Sequence, residues 1–229
     1  MGAQTTSVPE FFSTEPLPAD HAGVTELFAV LAYGELSAFY RLAEEAKQAP
    51  SLRGRIGVAK MAAAELAHFE TLEAALTARG ADAEAAMAQY QGALDSYHAS
   101  TDPSTWLESM VKFYVADGLA ADFYSEIADA LPAEVADVVR DVLAETSHSQ
   151  FVVDEVRSAV ESSRSERDRL TLWGRRLLGE AITQAQFVMA QRDELAELVL
   201  AATGDLNGIA TLFDRMQERH AARMAVLGL

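Results

Sequence analysis

The sequence predicts an all-α protein: a four-helix bundle built as two hairpins joined by a long crossover, with two additional helices towards the C-terminus. Three observations carry this. The long segments are dominated by Ala, Leu, Glu and Arg, which is the composition of helices. Apolar residues recur at three- and four-residue spacing over four segments of helix length. Pro or Gly separates most of these segments. Half of the 229 residues are hydrophobic, enough for a sizeable core. Residues 1–20, rich in Ser, Thr, Pro and Glu, read as a flexible N-terminal segment, and residues 21–229 as one helical domain with a four-helix core over about 21–162.

The first helix is expected from about His21 to Lys47, with an apolar stripe through Val24, Phe28, Leu31, Phe39 and Leu42, and a stop near Pro50. The second runs from Ser51, a suitable N-cap, to Arg79, with Gly80 as its C-terminal signal. These two form an antiparallel hairpin. The third is expected after Thr101-Asp102-Pro103, with Thr or Asp as cap and Pro in the first turn, and it ends at Pro132. The fourth follows at once as a single helix whose Val135, Val138, Val142, Val152 and Val156 face inward. Residues 80–102 are too long for a hairpin turn. A helix of about 28 residues spans about 42 Å, a length such a connection can cross. Beyond a charged stretch at 162–169 come a fifth segment, about Leu170 to Ala201, and a sixth, about Asp205 to Val226. They lack a core of their own, so they pack on the bundle or mediate a homodimer.

A net charge of −17 disfavours nucleic acid and anionic lipid as partners. With no cysteine, any metal must be held by His, Asp and Glu. No basic start precedes an apolar run, and no uninterrupted apolar stretch reaches the roughly 18 residues of a membrane span. The expected location is cytoplasmic, without membrane attachment.

Two Glu-x-x-His motifs carry the chemistry: Glu65-Leu66-Ala67-His68 in helix two and Glu145-Thr146-Ser147-His148 in helix four. Residues three apart on a helix are neighbours, so each motif aims a carboxylate and an imidazole at one point. The flanking residues Val58, Met61 and Leu72, and Val138, Val142 and Val152, place both pairs on the core face. Glu35 lies among the apolar residues of helix one, level with Glu65 across the hairpin. In helix three, Asp117 lies in the stripe Met110, Phe113, Ala120, Tyr124, Ile127, whereas Asp122 shares a face with Glu126 and Asp129 that reads as solvated. Asp117 is therefore preferred, with Asp122 left as the alternative. Asp95 and His98 repeat the spacing in the crossover but lack a matching partner, and read as surface.

With Glu35, Asp117 and the two motifs in these positions, the sequence resembles the ferritin-like diiron carboxylate proteins, whose pattern of two Glu and two Glu-x-x-His motifs is well known. The phrases Leu31-Ala32-Tyr33-Gly34-Glu35-Leu36-Ser37, Met61 to Glu70 and Asp117 to Tyr124 are similar to the MiaE-like hydroxylase group over roughly residues 20–200. The resemblance implies two iron ions held by Glu35, Glu65, His68, Asp117, Glu145 and His148, with Asp in place of the usual third-helix Glu. It also implies dioxygen as co-substrate, an electron donor, and hydroxylation of a modified tRNA. The charge argues against tRNA, so a small, largely apolar substrate is the expectation. Phe39, Tyr114, Phe123 and Phe151 are candidates to line its pocket. Trp173, Arg175, Arg176 and Glu180 of the fifth segment are candidates to close it or to bind an acidic substrate. The competing expectations are a ferroxidase or iron-storage protein, which needs a multisubunit shell, and a non-catalytic helical module.

Overall fold

In the computed structural model, which describes residues 17–144 and 149–229, every regular element among the described residues is a helix. In chain order they are α1 (Ala22–Gln48), α2 (Leu52–Ala78), α3 (Ala83–Ser100), α4 (Trp106–Ala128), α5 (Ala133–Val142), α6 (Ser149–Ser162), α7 (Arg164–Gln191), α8 (Asp193–Thr203) and α9 (Leu206–Val226).

The apolar stripe of α1 buries it among its neighbours. Val24, Leu27, Ala32 and Leu42 are fully buried, and α1 packs against α2, α3, α4 and α8. By length and composition alone α1 would qualify as a membrane span; here its apolar surface is spent on neighbouring helices. Ser51 caps α2 as expected, accepting from the Gly54 N–H at 3.0 Å. Val58, Ala62, Leu72 and Leu76 bury one face of α2 against the bundle, while the opposite face is exposed. The crossover is itself mostly helical, as α3. Helix α4 begins three residues later than the Thr101-Asp102-Pro103 signal suggests, because Thr105 is the cap that receives the Glu108 N–H. It runs antiparallel to α1: the Ser109 hydroxyl donates to Glu45 near the end of α1 at 2.8 Å.

Where the sequence suggests one fourth helix, the structure has two. Helix α5 ends at Val142, Leu143 and Ala144 are not helical, and α6 is described from Ser149. The buried stripe of α5 (Val135, Ala136, Val139, Val142) and that of α6 (Val152, Val153, Val156, Val160) would be out of phase by roughly 75° on one straight helix turning about 100° per residue. A break lets both stripes face inward. Glu145 and His148 lie outside the described residues.

The fifth segment is also divided. Helix α7 begins six residues earlier than expected, capped by Ser163 accepting from the Glu166 N–H. It ends where Arg192 adopts an extended conformation. Arg192 there forms a two-pronged ion pair with Glu26 of α1, at 2.9 and 2.6 Å, and lies over the Tyr90 ring. Helices α8 and α9 meet at 82°, a turn made by Gly204 at φ 85° and by the Asp205 cap on Gly208. The bend lays α9 along α4.

That contact corrects the reading of the Asp122 face as solvated. Arg223 bonds Asp122 at 2.8 Å and the Gly118 carbonyl at 2.9 Å, and Arg215 grips Glu126 with two bonds of 3.0 and 2.7 Å. A β-carbon on Gly118 would stand 2.0 Å from Nε of Arg223, so the missing side chain is what admits the guanidinium. The acidic row on α4 is a docking strip for α9.

Candidate metal centre

The close packing of α1 and α2 sets Glu35 opposite the turn that carries Glu65 and His68. Nδ1 of His68 lies 3.3 Å from Oε2 of Glu35 and 4.0 Å from Oε2 of Glu65. One ligand atom from each residue lies within 4.8 Å of the other two, which makes them a group able to hold a metal ion. All three side chains are at most 20% exposed.

Two carboxyl groups this close and this buried cannot both ionise cheaply. Burial and the Glu35 carboxylate push Glu65 up to about 9. Burial pushes Glu35 up to about 7, helped by the charge of Asp117 and opposed by its hydrogen bond with Glu65. Without a metal, Glu65 therefore holds a proton shared with Glu35. A divalent cation neutralises the same pair, and two carboxylates with an imidazole suit iron by ligand type. The residues present fit half of a two-iron site.

Asp117 is accessible to solvent, lines the same cavity as the pair, and acts electrostatically on Glu35. Asp122 does not reach this cavity, being held by Arg219 and Arg223. Glu145 and His148 fall outside the described residues.

A cavity of about 210 Å³ lies against the pair, with Leu31, Met61, Phe113, Tyr114 and Val152 among its walls. A second chamber of about 170 Å³ abuts it, sharing Val30, Leu94, Tyr97, Ala116, Ala120 and Tyr124 as walls and adding Phe123, Ala185, Val188 and Met216. Of the expected lining residues, Tyr114 and Phe123 take that role. Phe39 packs on the core, and Phe151 packs on the core and against Gly57. The candidate closing residues of α7 act instead as fasteners. Trp173 donates to the Glu108 carbonyl at 3.0 Å, Arg176 donates to the Ser100 carbonyl, and Glu180 accepts from the Ser100 hydroxyl. Arg175 is exposed.

The crossover also departs from its reading. His98 turns into the cavity rather than out to solvent, where burial, then Lys112 and Arg41, push it down to about 3, so it is neutral. Asp95 accepts from the Tyr33 hydroxyl at 2.9 Å and pairs with Arg41. Lys112 was absent from the sequence reading as a site residue, yet it is 3% exposed and lines the cavity. Its signal was a lone cation between the apolar residues Val111 and Phe113.

A family model described as a ferritin-like domain of actinomycetes matches residues 19–202. No curated protein matches the chain.

Proposed function

The chain belongs to the family of actinomycete ferritin-like domains, and from that premise we propose that it is a two-iron protein using dioxygen to hydroxylate or oxidise a small, largely apolar molecule. The observation that carries this reading is the buried carboxyl pair Glu35 and Glu65, with His68 beside it, on the wall of a mostly apolar cavity. A storage role would not call for such a chamber. The tRNA substrate of the MiaE-like group is left aside, since a chain of net charge −17 repels a phosphate backbone.

In this reading Glu35, Glu65 and His68 hold one half of the iron pair, and Asp117, Glu145 and His148 complete the set. Bound ferrous iron would supply the electrons and coordination positions that dioxygen activation needs. The protein's own part is fourfold. Glu65 releases its proton when a cation enters. His68 keeps Nδ1 aimed at the two carboxylates. Leu31, Met61, Phe113 and Val152 keep water from the reacting centre. Tyr124, a wall of both chambers whose hydroxyl is pushed up by burial and by the Glu35 charge, keeps its proton throughout.

The test is anaerobic reconstitution with ferrous iron. Two iron ions per chain are expected, with an absorption band that develops only when oxygen is admitted. Substituting Glu65→Ala together with His68→Ala should remove both. A wild-type protein that takes up no iron would sink the proposal. Sizing in solution separates the storage alternative, which requires a hollow multisubunit shell.

A further inference from the structure

Polar atoms in and beside the cavity wall are short of partners. Nδ1 of His98 and Nε of Arg41 are buried without a hydrogen-bond partner among the described residues, and the Tyr97 hydroxyl beside them has at most Thr101. Burying such groups unsatisfied is costly, so their convergence favours a ligand there. Beside them lies Lys112, buried, donating to the Thr101 carbonyl at 2.7 Å and standing 5.8 Å from the centre of the Tyr97 ring. An ammonium has three protons to donate, and one protein hydrogen bond is found for it among the described residues.

Each neighbouring carboxylate has another hydrogen-bond donor closer to it than either cation. Glu45 takes the Ser109 hydroxyl, Asp95 takes the Tyr33 hydroxyl with Arg41 only at 3.9 Å, and Glu180 takes the Ser100 hydroxyl. Asp102, the remaining acid that acts on Lys112, is exposed. Lys112 in the cavity wall and Arg41 beside it, which both act electrostatically on His98, put two cations at one end of the cavity in a strongly acidic chain, with Asp95 paired to Arg41 only at 3.9 Å: a candidate anion subsite.

Its position defines the ligand. Arg41 is six residues beyond Glu35 on α1, and Lys112 five residues before Asp117 on the antiparallel α4. Both steps correspond to about 7–9 Å along a helix rising 1.5 Å per residue. Beyond Asp117 on α4 lie Ala120 and Phe123, which with Ala185 and Val188 of α7 line the second, mostly apolar chamber; Tyr97 and Gln184 line it too. Along α1 and α4 the order is thus cations, then the carboxylates, then residues of that chamber.

We infer that Arg41, Lys112, Tyr97 and His98 form a head-group pocket for the carboxylate of an elongated, otherwise apolar substrate, whose chain passes Glu35 and Glu65 and ends in the second chamber. This rests on reading the cavity as the substrate site of the proposed oxygen chemistry. The pocket fixes which carbon faces the carboxylate pair, several bonds from the head group.

The experiment is calorimetric titration of the metal-free full chain with decanoate and, separately, with decan-1-ol. Decanoate is expected to bind at least tenfold more tightly. Lys112→Met and Arg41→Gln should each weaken decanoate at least tenfold and leave decan-1-ol within about twofold. Equal affinity for acid and alcohol in the wild type overturns the inference and needs no variant to fold. Unchanged decanoate affinity in a folded Arg41→Gln protein, whose side chain is 27% exposed, also overturns it. Because iron is absent throughout, decanoate selectivity without iron uptake in the separate reconstitution would retire the oxygen reading and keep the pocket. Iron uptake without selectivity would do the reverse.

Discussion

Replacing Glu65 with Gln should make the metal-free protein more stable in mild alkali while depriving it of metal. Glu65 keeps its proton to about pH 9 in the folded chain, against an ordinary 4.5, because burial and the Glu35 carboxylate penalise the charge. A raised folded value means that the group's contribution is fully present below about pH 4.5 and is lost as pH climbs towards 9. Each pH unit in that window is worth about 1.4 kcal/mol, so between pH 5 and pH 8 the native state loses at most about 4 kcal/mol through this one side chain. Gln has no proton to lose, keeps an N–H to offer Glu35, and occupies the same space. The loss on going from pH 5 to pH 8 should therefore shrink by about 2–4 kcal/mol in the variant. Urea unfolding followed by far-ultraviolet circular dichroism, in chelator, at both pH values and for both proteins, gives this double difference, in which the distant titrating groups cancel. Equal pH dependence in the two proteins, or a variant less stable than wild type at pH 8, would refute the proton-sharing account.

Three further outcomes concern the α9 packing and the carboxylate pair. Gly118→Ala should cost about 2–4 kcal/mol, since the new β-carbon displaces a guanidinium bonded to a mostly buried Asp122. Gly174→Ala meets only the flexible end of Met224, at 2.2 Å, and should cost less than about 1.5 kcal/mol; thermal unfolding that ranks them equally would count against the α9 clamp. Iron affinity should rise between pH 6 and pH 9 with release of a proton, because cation and proton compete for Glu35 and Glu65. Titrations in buffers of different ionisation enthalpy that detect no released proton would contradict this.

The hairpin and its share of the site could be read from the sequence because both rest on local rules. Glu35 sits in an apolar stripe, Glu65 and His68 are one turn apart, and the Ser51 cap sets the register between them. The features that escaped depend on which helix covers which. Asp122 and Glu126 look like a solvated face until Arg215, Arg219 and Arg223 arrive from about 90–100 residues further along. His98 looks like a surface residue until α3 is laid on α1 and α7. The break at Arg192 follows from an ion pair with Glu26, 166 positions earlier. The division between α5 and α6 was present as a phase shift in the valine pattern, which simple periodicity within either half does not expose.

Helix α9 begins at Leu206, just past the point where the family match stops at residue 202. It nevertheless supplies Met216 to the wall of the second chamber and stacks Phe213 on Phe123. The shared pattern thus covers the carboxylates while stopping short of one side of the space beside them. A fragment cut at the matched boundary would leave the chamber open-sided and the α4 carboxylates stripped of their arginines, so the unit to express for any ligand screen runs through α9.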